Sequence, residues 1–470
     1  MAPRLGWARP IANPAGECEV HRMEPVTQAL AIPPEPRSRM LGKWMSAAMV
    51  VGTMIGSGIY LLPTTLAPYG PNLVWAFALT GAGTMCLAFA LARLAAKIPG
   101  GPFAYVTEAF GETTAFVTLW SYVVSQWTGV AAVSVAVAGA LGHVFPGVAS
   151  GPGLIATALA SIAVLTLVNL GGARSAGWLQ VVATLIKIVP LIAVVVLVIA
   201  RVGGDGAVEP LAPVPISTAL VAAAGALMLF SLTGFEAAAV TATVTRDSTE
   251  TVPVATIGGT GFTAIIYLLA TVCALMLLSS AAAANSSAPF ADAIAPILGG
   301  GAGAVVAIIA AISAFGTCNA LLLFAAEVGR TIARANDLPP VFRRANRFGA
   351  PTGSLLVSAG IAAMLVLASS SKNFVTVYIF ITLVSTVAAL ILYAVCAAAA
   401  LKLRVTGRWA FIAVIALAYS VAMFVGAGLE ATLWGFALAA AGLPVRWFSR
   451  RFWTSPAAAV PPAAPEAPAA

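Results

Sequence analysis

The feature that most constrains this chain is a Gly-Ser-Gly sequence in the middle of its first long apolar stretch. Residues 53–59 read Thr-Met-Ile-Gly-Ser-Gly-Ile, with apolar sequence on both sides. A helix inside a membrane has to satisfy its own backbone, because hydrocarbon offers N–H and C=O groups no partner. A break at that depth is tolerated only where the freed backbone faces water or a ligand. The run therefore predicts a discontinuous helix beside a binding site.

The composition places this stretch in a membrane. The chain has 470 residues, of which 60% are hydrophobic and only 9% are charged, whereas soluble domains carry about 25% charged residues. One span needs roughly 20 apolar residues. We therefore expect an all-α polytopic membrane protein with twelve transmembrane helices. The twelve candidate stretches start near Met45, Asn72, Ala115, Gly153, Leu179, Ser217, Ala255, Ala302, Gly353, Phe374, Trp409 and Glu430.

The basic residues predict an orientation. With twelve spans and the amino terminus inside, 21 of the 24 Lys and Arg residues fall in cytoplasmic segments, which is the positive-inside pattern. The net charge of +8 therefore encodes topology, and we expect no nucleic-acid partner. We expect residues 1–40 and 452–470 to be disordered tails, both cytoplasmic, around a membrane domain of residues 41–451. Translation starting at Met23 or Met40 stays open.

A second interruption predicts an internal repeat. Residues 230–236 read Phe-Ser-Leu-Thr-Gly-Phe-Glu within the sixth apolar stretch. Interruptions in the first span of two successive five-span units are typical of inverted repeats. We place the repeats at about 45–201 and 216–402, with two further helices at about 409–446. The alternative is coincidence, since glycine is common in membrane helices.

Two ionisable residues lie deep in apolar sequence, Lys187 in the fifth stretch and Glu236 in the sixth. A charge at the centre of a membrane helix costs about 2.5–3.5 kcal/mol on insertion scales, so such residues usually have a function. The structural alternatives are a buried ion pair between the two and a lysine that reaches the interface. We predict that both take part in proton or ion coupling. The Lys187 ammonium could replace a coupling cation or exchange a proton as the site opens and closes.

The broken helices predict the ligand class. The N–H groups that begin a half-helix carry the positive end of its dipole and suit a carboxylate. Ser57 and Gly58 would supply these N–H groups, while carbonyls near Thr53 and Phe230 would accept from an ammonium. A zwitterionic amino acid, or an amine, is therefore the expected small-molecule substrate. The predicted binding residues are Thr53, Met54, Ile55, Gly56, Ser57, Gly58, Phe230, Ser231, Thr233 and Gly234.

Other functional classes have less support in the sequence. A channel would need a ring of charge or a filter motif, and neither is present. An intramembrane enzyme would need a nucleophile with its base or paired carboxylates, and no candidate span contains a histidine. The five cysteines lack metal-ligand spacing, so we expect no catalytic residue, metal or cofactor. A receptor that binds an amino acid without transporting it remains open, because it would need the same pocket.

The motifs resemble those of the amino acid–polyamine–organocation superfamily. They are residues 55–59 with 61–63, residues 99–101 with Tyr105 and 110–111, residues 233–236, and residues 252–259. Within the superfamily the chain is most similar to the basic amino acid/polyamine antiporters of the arginine/agmatine type. The resemblance implies a LeuT-like core of five plus five inverted spans followed by two more, in a bacterial inner membrane, and a homodimer in contact with lipid.

The same resemblance implies roles for individual residues. It assigns the substrate carboxylate to Ser57 and Gly58 with Met54 beside the ligand, the middle gate to Phe230, and further gating roles to Tyr122 and Glu236. Two features depart from the arginine/agmatine type: Val130 replaces a substrate-binding asparagine, and residues 316–322 lack a tryptophan.

Lys187 is a third departure, and it is similar to the fifth-span lysine of proton-coupled or sodium-independent members of the superfamily. We therefore expect a secondary active amino acid permease that works by alternating access, through proton symport or exchange. An arginine/agmatine or polyamine antiporter is the alternative.

Overall fold

The computed structural model describes residues 42–98, 101–148, 151–170, 177–204, 206–237, 247–346, 349–368 and 374–453. These residues form α-helices joined by short turns and 3₁₀ segments, and none of them lies in a strand. The predicted tail of residues 1–40, Pro99-Gly100 and residues 454–470 fall outside the described residues, whereas Phe452 and Trp453, expected in the disordered tail, belong to the last helix. The helices are α1 (Lys43–Met54), α2 (Ser57–Leu66), α3 (Asn72–Lys97), α4 (Gly101–Phe110), α5 (Glu112–Gly142), α6 (Gly151–Leu170), α7 (Gly177–Gly203), α8 (Thr218–Leu232), α9 (Ser248–Leu277), α10 (Ser280–Asn285), α11 (Pro289–Leu298), α12 (Gly300–Arg334), α13 (Thr352–Ala368), α14 (Phe374–Lys402), α15 (Ala410–Gly426), α16 (Leu429–Ala440) and α17 (Gly442–Trp453).

The helices identify a multi-pass membrane protein. Among the described residues, eight helices are long and apolar enough to cross a membrane, and α1 with α2 forms a ninth candidate bent by 43°. Helices α8, α11 and α13 are apolar but shorter than a full span. A total of twelve crossings would require three more spans in addition to these nine. They would be α8, α13, and α16 together with α17.

Helix α5 lies at the centre of the packing. Over its 31 residues it makes its most extensive contacts with α12 and α14, and others with α6 and α4. Its apolar window is fully buried, so protein surrounds it on all sides. This explains why its hydrophobic residues show no single stripe, since a helix that is apolar all round is a buried one. Helices α5, α12 and α14 thus form a wall for the site described below.

An ionic cluster fixes one end of this wall. Asp337, just after α12, accepts hydrogen bonds from Arg446 at 2.9 Å and from Arg450 at 2.6 Å. Arg450 also donates to Glu112 at the start of α5, at 2.9 Å. The cluster ties α17 to the adjacent ends of α5 and α12.

Candidate functional site

The first predicted break is present, one residue earlier than the sequence suggested. Helix α1 ends at Met54, Ile55 and Gly56 have non-helical conformations, and α2 begins at Ser57. Ser57 and Gly58 are therefore the first turn of α2 and not the break itself. The capping residue is Gly56, which has no side chain to cap that turn. No hydrogen bond between described residues uses the amides of Ser57 or Gly58.

Side chains from three other helices satisfy the end of α1. The last carbonyls of a helix have no partner within it. Here the Lys187 ammonium donates to the Gly52 carbonyl at 3.4 Å, and the Tyr267 hydroxyl donates to the Met54 carbonyl at 2.6 Å. The Ser313 hydroxyl lies 3.5 Å from the Ile55 carbonyl oxygen. The two sides of the break thus differ, because most carbonyls of α1 have partners and the first amides of α2 have none.

The second break follows α8. Helix α8 ends at Leu232, and both the N–H and the hydroxyl of Thr233 donate to the Phe230 carbonyl, at 3.2 and 2.7 Å. Gly234 comes next with φ of 108°, a left-handed conformation that glycine adopts readily and that commonly ends helices. Phe230 and Ser231, expected within the interruption, instead lie in the last turn of the helix, just before its final residue Leu232.

The two breaks touch each other. A Cβ placed on Gly234 would lie 3.0 Å from the carbonyl carbon of Thr53, so only glycine lets the two backbones approach this closely. The Thr53 hydroxyl is 3.0 Å from the Gly234 carbonyl oxygen, and it also lies within hydrogen-bond distance of carbonyls in its own helix. On α2, a Cβ on Gly58 would lie 2.7 Å from the Cα of Ser231.

A cavity of about 590 Å³, which includes space open at its mouth, lies against both breaks. All the predicted binding residues except Ile55 line it, namely Thr53, Met54, Gly56, Ser57, Gly58, Phe230, Ser231, Thr233 and Gly234, and so does Glu236, which was predicted for gating and coupling. Ile55, Tyr122 and Lys187 do not line it. A second, mostly apolar cavity shares Ser57 with the first and is lined by Tyr60, Phe290 and several alanines.

Glu236 lies at the cavity in a ring of donors. Its Oε1 accepts from the Tyr122 hydroxyl at 3.0 Å. Its Oε2 accepts from the Gly234 amide at 3.0 Å and from the Tyr393 hydroxyl at 3.3 Å. The side chain is buried. These bonds link α5 and α14 to the break after α8, so Tyr122 contacts the site through Glu236 and not directly.

Lys187 does not line the cavity and contacts the end of α1 instead. It is buried, its ammonium contacts the Gly52 carbonyl, and a Cβ on Gly316 would lie 3.7 Å from its Nζ. Its own carbonyl accepts a 2.6 Å hydrogen bond from the Tyr60 hydroxyl. Among the described residues no ion pair joins Lys187 to Glu236, so that structural alternative is wrong. The lysine instead fixes the junction of α1, α2 and α12.

Phe230 lines the cavity and contacts α14. Its ring meets the ring of Tyr378 edge-on, with centroids 6.4 Å apart. The Tyr378 hydroxyl faces Ser57, although the Ser57 hydroxyl forms no complete hydrogen bond within the described residues. The predicted gate residue and the predicted carboxylate-binding residue therefore contact the same tyrosine.

Sequence reasoning missed the opposite wall of the cavity. The missed lining residues are Ser125 and Gln126 on α5, Thr317, Ala320, Leu321 and Phe324 on α12, and Ser385, Ala389 and Tyr393 on α14. Residues three and four apart share a helix face, so Tyr122 could have indicated Ser125 and Gln126. No pattern in the sequence singles out the residues of α14. In the described segments no group of His, Cys, Asp and Glu could hold a metal ion.

Known proteins give an independent line of information. The sequence model of the amino acid permease family matches residues 41–443. The cadaverine/lysine antiporter of Escherichia coli (strain K12) is 31% identical over 336 residues, which cover 68% of this chain and 73% of that protein. The putative arginine/ornithine antiporter of Bacillus subtilis (strain 168) is 28% identical over 447 residues, 83% of this chain and 92% of the relative. The putrescine transporter PotE of Escherichia coli (strain K12) is 27% identical over 419 residues, with coverages of 85% and 94%.

Proposed function

The chain belongs to the amino acid permease family, and we propose that it carries a zwitterionic amino acid through the cavity between its two interrupted helices. It is a secondary transporter and not an enzyme. The observation that carries the proposal is the pair of unpartnered amides of Ser57 and Gly58 at a cavity where the two breaks meet. Transport proceeds by alternating access around this site.

The carboxylate binds at the start of α2. Unpaired N–H groups at a helix N-terminus, together with the helix dipole, form an anion site. Gly56 leaves this end open, and the Ser57 hydroxyl adds a donor whose hydrogen bonds are incomplete. Every amino acid has an α-carboxylate, so this half of the site is independent of the side chain.

The ammonium binds across the breaks. Among the residues at the cavity, Thr53, Ser231 and Thr233 have backbone carbonyls that accept no hydrogen bond from described residues. The Phe230 carbonyl, by contrast, already accepts two hydrogen bonds from Thr233. Of the carbonyls near Thr53 and Phe230 that the sequence suggested, we therefore propose those of Thr53, Ser231 and Thr233 as acceptors for the ammonium. Phe230 and Tyr378 close over the ligand as a gate, with Tyr122 acting through Glu236.

Lys187 couples transport to a proton or replaces a cation. Its ammonium rests on a carbonyl that the break leaves free, a place where a small cation would also bind. Movement of α1 during alternating access changes the surroundings of this ammonium and therefore its affinity for a proton. Exchange is the second mode, since two of the relatives are described as antiporters of cadaverine with lysine and, putatively, of arginine with ornithine.

The architecture proposed for this activity has twelve spans. They comprise the nine candidates above, α8, α13, and α16 continued by α17, arranged as inverted repeats at about 45–201 and 216–402 with two further helices. We propose that both termini are cytoplasmic in a bacterial inner membrane, and that two copies form a homodimer.

Uptake of labelled amino acids into liposomes that contain the purified protein tests the proposal. We expect uptake driven by a proton gradient or by internal substrate, and we expect Ser57→Trp to abolish it by filling the site. Val189→Trp is the matched control. Val189 is 58% exposed on α7, so a tryptophan introduced there lies on the membrane side and does not fill the site. Absence of flux with every amino acid and amine under both conditions would contradict the proposal.

A further inference from the structure

One side chain of the cavity's far wall has no hydrogen-bond partner among the described residues. Gln126 lines the cavity from α5 and is 4% exposed. Its Oε1 is buried without a partner, and no hydrogen bond between described residues uses its carboxamide. A buried polar group without a partner is costly, so each such group in a native protein needs an explanation. A bound ligand that supplies the missing hydrogen bonds of Gln126 would be such an explanation.

The other polar groups of this wall are already engaged. The hydroxyls of Ser125 and Ser385 are paired with each other and Ser385 donates to the Ser125 carbonyl. The Thr317 hydroxyl donates to the Ser313 carbonyl, within its own helix. Tyr393 donates to Glu236. Gln126 is therefore the polar side chain of the described wall that remains available to a ligand.

The position of Gln126 assigns it to the substrate side chain. Backbone groups of α1, α2 and α8 would hold the carboxylate and the ammonium, as proposed above. A substrate held there directs its side chain toward the wall of α5, α12 and α14. Apart from Gln126, the unengaged part of that wall is apolar and includes Ala320, Leu321 and Phe324.

We propose that Gln126 selects the side chain of the transported amino acid, and that it selects neutral side chains with a hydroxyl or a carboxamide. This inference rests on the proposed function. A carboxamide offers one acceptor and two donors, and its complement is a group that both donates and accepts. Serine, threonine, asparagine and glutamine have such side chains. The second ammonium of lysine or cadaverine only donates, and Glu236, the one carboxylate among the described residues that line the cavity, already accepts three hydrogen bonds.

The test compares uptake of labelled alanine, serine, asparagine, leucine and lysine by the full-length protein in liposomes. For the wild type we expect serine and asparagine to exceed alanine and leucine. A site built to bond a polar group discriminates against an analogue that leaves it unpaired. In Gln126→Leu the ratio of serine to alanine uptake should therefore fall by roughly 5- to 150-fold. Gln126→Glu should raise lysine uptake relative to serine, because it adds a carboxylate facing the side chain.

Thr128→Val is the matched control on the same helix. Its hydroxyl donates to carbonyls of its own helix, at 3.0 Å to Val124 and Ser125, and it does not line this cavity. It should leave the serine-to-alanine ratio unchanged. The inference is overturned if Gln126→Leu and Gln126→Glu both keep the wild-type ratios, or if lysine or leucine is the preferred wild-type substrate. Failure of every amino acid to enter would instead refute the proposed function together with the inference.

Discussion

The contact between Gly58 and Ser231 yields the sharpest prediction, for the variant Gly58→Ala. Gly58 is helical, so alanine brings no conformational strain there, and the effect is purely steric. The new Cβ would lie 2.5 Å from the Ser231 hydroxyl oxygen and 2.7 Å from its Cα and Cβ, whereas ordinary contacts begin at 3.4 Å. Helices α2 and α8 must therefore separate by about 0.7 Å, the difference between these distances.

That displacement has two measurable effects. Overpacking of this kind costs about 1–3 kcal/mol of folding free energy, so the unfolding temperature should fall. The same displacement would stretch the hydrogen bond from an amide at the start of α2 to the substrate carboxylate, from about 2.9 Å to about 3.6 Å, at which distance it is effectively lost. Losing one bond to a charged carboxylate costs about 1.5–3 kcal/mol, and KM for uptake should therefore rise by about 10- to 150-fold.

The assay is uptake kinetics in liposomes together with thermal unfolding. Gly360→Ala is the control, since this glycine lies within α13 and has no neighbour within 4 Å of a new Cβ. It should leave KM unchanged and slightly stabilise the helix. Ser231→Gly removes two of the three crowding atoms and should recover part of the loss in Gly58→Ala. An unchanged KM for Gly58→Ala would refute the placement of the carboxylate at this helix end.

Two further predictions concern the ionisable residues. Lys187→Ala should preserve the fold but abolish the pH dependence of uptake, because it removes the ammonium on the Gly52 carbonyl; a variant with full pH-dependent uptake would rule out a coupling role. Tyr122→Phe should lower the free energy of unfolding by about 1.5–3 kcal/mol, since it removes a donor to buried Glu236. Tyr105→Phe is its control, because that hydroxyl is buried without a partner, and equal losses in the two variants would contradict the role given to Glu236.

The sequence was sufficient to predict the features that depend on local chemistry. Glycine and serine at 56–58 and Gly234 indicated breaks because a membrane helix has no other source of backbone partners. Both breaks are present, and eleven of the twelve predicted starts lie within three residues of the start of a helix, whereas α9 begins seven residues before the predicted Ala255. The break itself lies at Ile55 and Gly56 because the glycine at 56 serves as the cap, which leaves Ser57 free to begin α2.

Features that depend on tertiary packing could not be predicted. Nothing in the local pattern indicates that Lys187 binds the Gly52 carbonyl instead of lining the cavity, since the sequence around both residues is apolar. The donors to Glu236 come from α5 and α14, and Tyr393 is separated from Glu236 by 157 positions. Gln126 went unnoticed because its importance lies in the absence of a partner, which only the packed structure reveals.

The central claim is that the opened backbone of α1 and α2 holds the substrate by its carboxylate. A cryo-electron microscopy map of the protein with a transported amino acid bound tests it most directly. The account predicts carboxylate oxygens at hydrogen-bonding distance, about 2.7–3.2 Å, from the amides of Ser57 and Gly58. A ligand bound elsewhere, or an uninterrupted helix through Ile55 and Gly56, would contradict it.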